Sequence, residues 1–147
     1  MNFTLGCLCV RKKLKMPPNL FINKKVLITI DLEDWFQVEN FKKYISTAQW
    51  ENKESRFKKN TMRILELLER QGIKATFFVL GWCARKNPDL IKEILKSGHE
   101  IASHGNGHVM CNQLSLKDLR EDLHLSQKIL EDITGVRVTG YRAPSFS

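Results

Sequence analysis

A chain of 147 residues, 42% of them hydrophobic, can bury the core of one globular domain but is too short for two ordinary ones. Its formal net charge of +8 lies mainly at the start: of 24 lysines and arginines, six precede Asp31, the first acidic residue, and the other 18 stand against 16 acidic residues. The rest of the chain is nearly neutral, so we expect no nucleic-acid partner.

Residues 1–24 are interpreted as a basic arm outside the fold, because they lack hydrophobic periodicity and contain a Met-Pro-Pro segment. The apolar stretch at 5–10 precedes the basic cluster at 11–15, which is the reverse of a secretory signal. No segment approaches the roughly 20 apolar residues of a membrane span. We therefore expect a soluble chain, cytoplasmic by default, with its domain at 25–147; the oligomeric state stays open.

The predicted elements alternate from the start of this domain. Residues 25–31 (KVLITID) are a continuous apolar and β-branched run, which predicts a strand covered on both faces. Apolar residues at helical spacing predict a helix over 60–71 that ends at Gly72. Residues 75–80 (ATFFVL) then predict a second strand.

The alternation continues in the second half. Asn87 and Pro88 are suited to begin a helix that runs to Lys96, and residues 99–103 predict a short third strand. A capping box at Ser115 starts a helix to about residue 135, and residues 136–141 predict a fourth strand. Strands that alternate with helices indicate an α/β fold with a parallel sheet.

Polar clusters follow three of these strands, at 31–34 (DLED), 104–108 (HGNGH) and 141–144 (YRAP). Because active groups of parallel α/β folds gather at the carboxyl edge of the sheet, we expect the three clusters to meet there. His99 and His124 lie outside these clusters and are interpreted as structural or exposed.

The acidic cluster at 31–34 predicts two different roles for its carboxylates. Asp31 and Glu33 are two residues apart, so an extended chain directs both to one side, where one can bind a metal ion while the other takes a proton. Asp34 points the other way in a strict strand, although a turn beginning there could bring it back. Arg142 near a carboxylate would keep that carboxylate ionised and oriented.

The histidine pair predicts a metal site. His104 and His108 are four residues apart, and a single turn or compact loop brings both rings to one ion. Imidazole and carboxylate are the ligands of a catalytic divalent cation, with zinc as the first candidate and cobalt or nickel as alternatives. The zinc-protease motif His-Glu-x-x-His is absent from the sequence.

Four segments resemble the polysaccharide deacetylases of carbohydrate esterase family 4, the NodB-homology domain. They are 29–36 (TIDLEDWF), 75–82 (ATFFVLGW), 98–108 (GHEIASHGNGH) and 140–147 (GYRAPSFS). The likeness runs from about Lys25 to the last residue, and it is greatest to a branch found beside exopolysaccharide and exosortase gene clusters.

The resemblance implies the N-terminal part of a distorted (β/α) barrel that removes N-acetyl groups from an N-acetylglucosamine-type polysaccharide by metal-assisted hydrolysis. It implies that Asp31 is the catalytic base and that His104 and His108 are metal ligands. The family has two adjacent aspartates where this chain has Leu32 in the second place, so the acidic ligand is Glu33 or else Asp34.

Three further residues are predicted to contact substrate. Trp35 and Trp82 could offer flat faces to a sugar ring, although core packing is an equal alternative for both. The metal and backbone amides near Tyr141, or in the loop after His108, would stabilise the oxyanion, and Arg142 would keep Asp31 charged.

The resemblance also sets an expectation about completeness. The later family motifs, with the usual general acid, would lie beyond Ser147, so we expect a truncated chain with little activity alone. Two alternatives stay open. The chain is an inactive metal- or sugar-binding fragment, or it is an amidohydrolase of the allantoinase type, which shares the fold and the Asp-x-acid opening.

Overall fold

The computed structural model describes residues 26–147, so the predicted arm at 1–24 lies outside the described residues. The described part contains three strands and four α-helices. The strands are β1 (Ile28–Leu32), β2 (Ala75–Val79) and β3 (Glu100–Ser103). The helices are α1 (Phe57–Arg70), α2 (Gly81–Lys86), α3 (Pro88–Lys96) and α4 (Leu116–Thr134).

The three strands form one parallel sheet in the order β1-β2-β3. Leu32 at the end of β1 is in register with Val79, and Val79 is in register with Ser103 at the end of β3. The three strands therefore end in one row, and the residues that follow them emerge at the same edge. The predicted α/β architecture with a parallel sheet is confirmed.

The core lies between the sheet and its helices. Phe77 and Val79 on the central strand are fully buried, as expected for a strand covered on both faces. The helices bury apolar residues at spacings of three and four: Leu65 and Leu68 of α1, Leu90, Ile91 and Ile94 of α3, and Leu130 of α4. This layer makes the sheet a rigid support for the loops at its edge.

The predicted ends of α4 are confirmed. The Ser115 hydroxyl accepts a hydrogen bond from the Asp118 amide at 3.1 Å, so one of the free N–H groups of the first turn has a partner. The helix ends at Gly135, whose φ of 70° is readily adopted only by glycine.

The fourth predicted strand, at 136–141, does not form a ladder. Only Tyr141 bridges β3, through hydrogen bonds from the Ser103 amide to Gly140 and from the Arg142 amide to Ser103. The reason is competition from α4. Its Gln127 donates to the Val138 carbonyl at 3.0 Å, and its Glu131 accepts from the Val138 amide at 2.9 Å.

The segment between β1 and α1 is more ordered than the sequence predicts. It contains two short 3-10 helices, Glu39–Phe41 and Thr47–Asn52, and buries an aromatic cluster in which Phe36 and Trp50 are covered. Helix α2 was also not predicted. Among the four helices of residues 26–147, none combines the length and apolar character required to cross a bilayer.

Candidate metal centre

Three predicted ligands meet at the carboxyl edge of the sheet. Glu33 follows β1, while His104 and His108 lie on the loop after β3, and one ligand atom from each lies within 4.8 Å of the other two. Glu33 Oε2 is 2.8 Å from His108 Nε2 and 3.9 Å from His104 Nε2. Both histidines are buried.

His104 is held in the form that can bind a metal through Nε2. Its Nδ1 lies 2.8 Å from the Arg142 carbonyl oxygen, which only accepts, so Nδ1 carries the proton and donates. Burial lowers the pKa of His104, although the negative charges of Asp31 and Glu33 oppose this shift. The ring is thus neutral at neutral pH, and the lone pair of Nε2 faces Glu33.

Two buried atoms of this cluster support its use as a metal site. Within the described residues, Glu33 Oε2 and His108 Nδ1 have no hydrogen-bond partner. The short approach of Glu33 to His108 thus lacks hydrogen-bond geometry, whereas two ligands of one ion can lie close without it. A carboxylate with two imidazoles is a ligand set of catalytic zinc.

The loop that carries the histidines has an unusual backbone. His108 has a φ of 51°, in the left-handed region that residues other than glycine seldom adopt, and Gly105 has a φ of 79°. Such a conformation at a non-glycine residue costs on the order of 1 kcal/mol and persists only when the surroundings enforce it. Here it turns the buried His108 ring toward Glu33.

Asp31 lies beside the cluster and is paired with Arg142. The guanidinium lies 2.5 Å from Asp31 Oδ1 and donates to the Thr29 hydroxyl at 2.9 Å. Its flat face covers the Phe78 ring, with 3.9 Å from Cζ to the ring centroid. Arg142 is therefore fixed in three directions, and it fixes Asp31 in turn.

Asp34 is not brought to the histidines. Its carboxylate accepts hydrogen bonds from the backbone amides of Trp35, Arg56 and Phe57, at 2.9, 2.9 and 3.4 Å. These amides include the free N–H groups at the start of α1, which a buried carboxylate satisfies well. Of the two acidic ligands that the sequence leaves open, the structure places only Glu33 at the metal cluster.

The predicted substrate aromatics belong to a packed cluster. Trp35 stands edge-on to Phe36 and donates its indole N–H to the Glu54 carbonyl, and Trp82 stands edge-on to Phe36 and Trp50. Both tryptophans are only partly exposed. The packing alternative given above thus accounts for the contacts of both.

Tyr141 lies at the rim of the site, on the bridge to β3. Its hydroxyl is 3.1 Å from the Cys111 sulfur. Burial, followed by that contact, raises the pKa of Tyr141, so the phenol stays protonated. It is 39% exposed, which leaves its ring within reach of a ligand.

A cavity of about 270 Å³ adjoins His108 on the side of the β1–α1 segment. Three polar atoms without a hydrogen-bond partner in the described structure, Gln37 Nε2, Glu39 Oε2 and His108 Nδ1, belong to residues that line it. Its apolar wall includes Phe36, Ile45, Trp50 and Val109. No local pattern in the sequence predicts this cavity, because it forms between segments some 60 residues apart.

Cys83 is a core residue that contacts Gln37, one of the residues lining the cavity. The thiol donates to Gln37 Oε1 at 3.2 Å and is fully buried. Burial, with the negative charges of Asp34 and Glu33, raises the pKa of Cys83 well above its usual value. The thiol therefore stays protonated and unreactive.

Comparison with known proteins finds polysaccharide deacetylases. The family model described as polysaccharide deacetylase matches residues 23–147. The peptidoglycan-N-acetylglucosamine deacetylase PgdA of Listeria monocytogenes is 37% identical over 84 residues, which are 57% of this chain and 18% of that protein. The chain thus spans less than a fifth of the length of this curated relative.

Solved structures share the fold. Peptidoglycan deacetylase PdaC of Bacillus subtilis has a TM-score of 0.63 at 28% identity, over 85% of this chain and 52% of that one. A pseudoenzyme of carbohydrate esterase family 4 from Bacillus anthracis has a TM-score of 0.65 at 25% identity, over 84% of this chain and 36% of that one. These matches support the predicted partial (β/α)-barrel-like domain.

Proposed function

We propose, from the premise that this chain belongs to the polysaccharide deacetylase family, that the protein hydrolyses N-acetyl groups of an N-acetylglucosamine-type polysaccharide with the help of a divalent metal. The observation that carries the proposal is the buried Glu33–His104–His108 cluster beside the Asp31–Arg142 pair. The likeness of the opening motif to the exopolysaccharide branch favours an exopolysaccharide as the substrate.

Glu33, His104 and His108 would hold the metal, with zinc as the first candidate. A divalent cation there supplies Lewis acidity, which makes a carbonyl carbon more electrophilic and a water more acidic. The neutral His104 ring and the unpartnered Glu33 oxygen are suited to that ion.

Asp31 is proposed as the base, because it lies beside the cluster with a fixed orientation. Water adds to the acetamide carbon while its proton passes to Asp31; cleavage of the C–N bond then releases acetate and an amine that takes up a proton. Arg142 orients the Asp31 carboxylate, the proton acceptor, through their ion pair.

The cavity beside His108 is proposed to receive a sugar ring next to the reacting residue. The apolar wall at Ile45 and Val109 suits the apolar face of a sugar, while the Gln37 amide and the Glu39 carboxylate suit hydroxyl or acetamido groups. A Glu39→Ala variant should then raise KM with little change in kcat.

Calorimetric titration with Zn²⁺ or Co²⁺, followed by acetate release from N-acetylglucosamine oligomers, tests this function. We expect one ion per chain, with binding lost in His104→Ala. Lys128→Ala, which removes an exposed ion pair on α4, is the matched control and should bind as the unchanged chain does. Acetate release that is unaffected by His104→Ala would contradict the assignment.

A metal- or sugar-binding role without catalysis is the second candidate, and the fold shared with a pseudoenzyme favours keeping it. The two functions differ in one measurement. Metal binding that depends on His104 but yields no acetate from oligomers, peptidoglycan or an N-acetylated exopolysaccharide would support the second function over the first.

A further inference from the structure

The loop with the two histidine ligands is held mainly through its backbone. The amides of Ser103 and His104 donate to the carbonyls of Gly140 and Val79, and the Gly105 amide donates to the Ser103 hydroxyl. The next amide, of Asn106, donates to Asp122 Oδ2 at 2.9 Å. Asn106 lies midway in the sequence between the ligands His104 and His108, so the Asp122 carboxylate binds the centre of the loop.

Asp122 approaches this loop closely from the first half of α4. A Cβ on Gly105 would lie 2.8 Å from Asp122 Oδ2, so the carboxylate occupies space that any other residue at position 105 would need. Gly105 also has a φ of 79°, which favours glycine. The close approach and the backbone turn therefore occur at the same residue.

Helix α2 holds the opposite side of the loop. The amides of Gly81 and Trp82, at its start, donate to the carbonyls of Gly105 and Asn106 at 2.9 and 3.2 Å. Arg85 donates to the Asn106 side chain at 2.7 Å. The turn at 105–106 is thus clamped between α2, which donates, and Asp122 of α4, which accepts.

We propose that Asp122 is a positioning residue that holds the 104–108 loop in its metal-binding shape. It contacts none of the ligand side chains among the described contacts, and it acts through the Asn106 amide. The carboxylate oxygen gives the Asn106 amide an acceptor inside a loop that must keep a strained backbone at His108. The inference rests on the proposed metal site.

Cobalt titration of the purified chain tests it, with affinity from calorimetry and ligand geometry from the visible Co²⁺ spectrum. Asp122→Ala should weaken Co²⁺ binding about tenfold and alter the visible spectrum. Loss of residues that orient metal ligands typically has an effect of this size. Asp122→Asn keeps an acceptor oxygen without the charge, and should retain most of the affinity and the unchanged spectrum.

Asp118→Ala is the matched control. It removes an acidic residue from the first turn of the same helix, where it bonds Ser115 and not the loop, so it should lower the unfolding midpoint but leave Co²⁺ affinity unchanged. A general loss of helix stability would instead weaken binding in both alanine variants, which would overturn the positioning role.

The remaining outcomes are also decisive. Unchanged affinity in Asp122→Ala would overturn the inference and leave the metal site intact. Affinity in Asp122→Asn as low as in Asp122→Ala would show that the charge acts on the ion directly, and would overturn positioning through Asn106. Failure of the unchanged chain to bind Co²⁺ would remove the proposed metal site and this inference together.

Discussion

Asp31 and Glu33 have different surroundings although only one residue separates them. Asp31 is paired with Arg142 and 28% exposed, so it can meet solvent and substrate. Glu33 has an oxygen that is buried without a hydrogen bond and that faces the histidines. Two carboxylates in such different environments are suited to different tasks, a base and a metal ligand.

Asp31→Asn should separate these tasks. The amide keeps the size of the side chain but cannot accept the proton of the attacking water, so acetate release should fall by about 100-fold or more. Zinc affinity by calorimetry should stay close to that of the unchanged chain, because Asp31 is not one of the clustered ligands. Full activity in this variant would refute Asp31 as the base.

His99 predicts a pH dependence of stability away from the metal site. It is buried, and its Nδ1 accepts the Ala75 amide at 3.2 Å. Burial, followed by the charge of Lys74, lowers the pKa of His99 in the folded chain. The unfolded chain binds the proton more readily below its pKa of about 6.5, so the free energy of unfolding should fall as pH drops below that value.

Urea unfolding at about pH 7.5 and about pH 5.5 checks this, since the two values bracket the pKa of an unfolded histidine. His99→Gln keeps an acceptor for the Ala75 amide but does not titrate, so it should lose less stability than the unchanged chain between the two pH values. His124→Gln, at an exposed position of α4, is the control. Equal losses in all three proteins would exclude a role of His99.

Among the elements, β1 and α1 are joined through Asp34. This buried residue follows β1, and its carboxylate binds the amides at the start of α1, 22 residues later. The neighbouring Glu33 belongs to the metal cluster. Adjacent side chains at one strand end thus have different partners: Asp34 binds the start of α1, and Glu33 lies among the proposed metal ligands.

Replacing Asp34 or Glu33 by alanine should have opposite effects on stability and on zinc affinity. Asp34→Ala leaves buried amides without acceptors and should lower the free energy of unfolding by about 2 kcal/mol or more. Its zinc affinity should change little. Glu33→Ala should lose most zinc binding and little stability in urea. Loss of zinc binding in a folded Asp34→Ala variant would identify Asp34 as the ligand instead.

For the whole molecule, the sequence predicted the elements that depend on local pattern. The apolar runs at β1 and β2 and the capping residue Ser115 act within a few residues, so the structure follows them. The edge where the polar clusters meet was also predictable, because parallel strands end together.

Contacts between distant segments account for what the sequence did not reveal. The segment at 136–141 has the composition of a strand, but Gln127 and Glu131 of α4 bind the backbone of Val138. Asp122 is one acidic residue among several on α4, and only the packing of that helix brings it to the Asn106 amide. The cavity beside His108 likewise needs two distant segments.

The position of the ligands in the sheet has a consequence for stability. Glu33 follows β1 and the histidines follow β3, and β2 lies between those strands, so a bound ion ties together parts of the chain about 70 residues apart. An ion that binds only the folded chain stabilises it by mass action, by about 2.7 kcal/mol at a free concentration 100 times Kd. Differential scanning calorimetry should therefore show a Tm that rises with zinc and falls back when a chelator is added, and His104→Ala should abolish the rise. The concentration of available metal would then set the stability of the folded protein as well as its proposed activity.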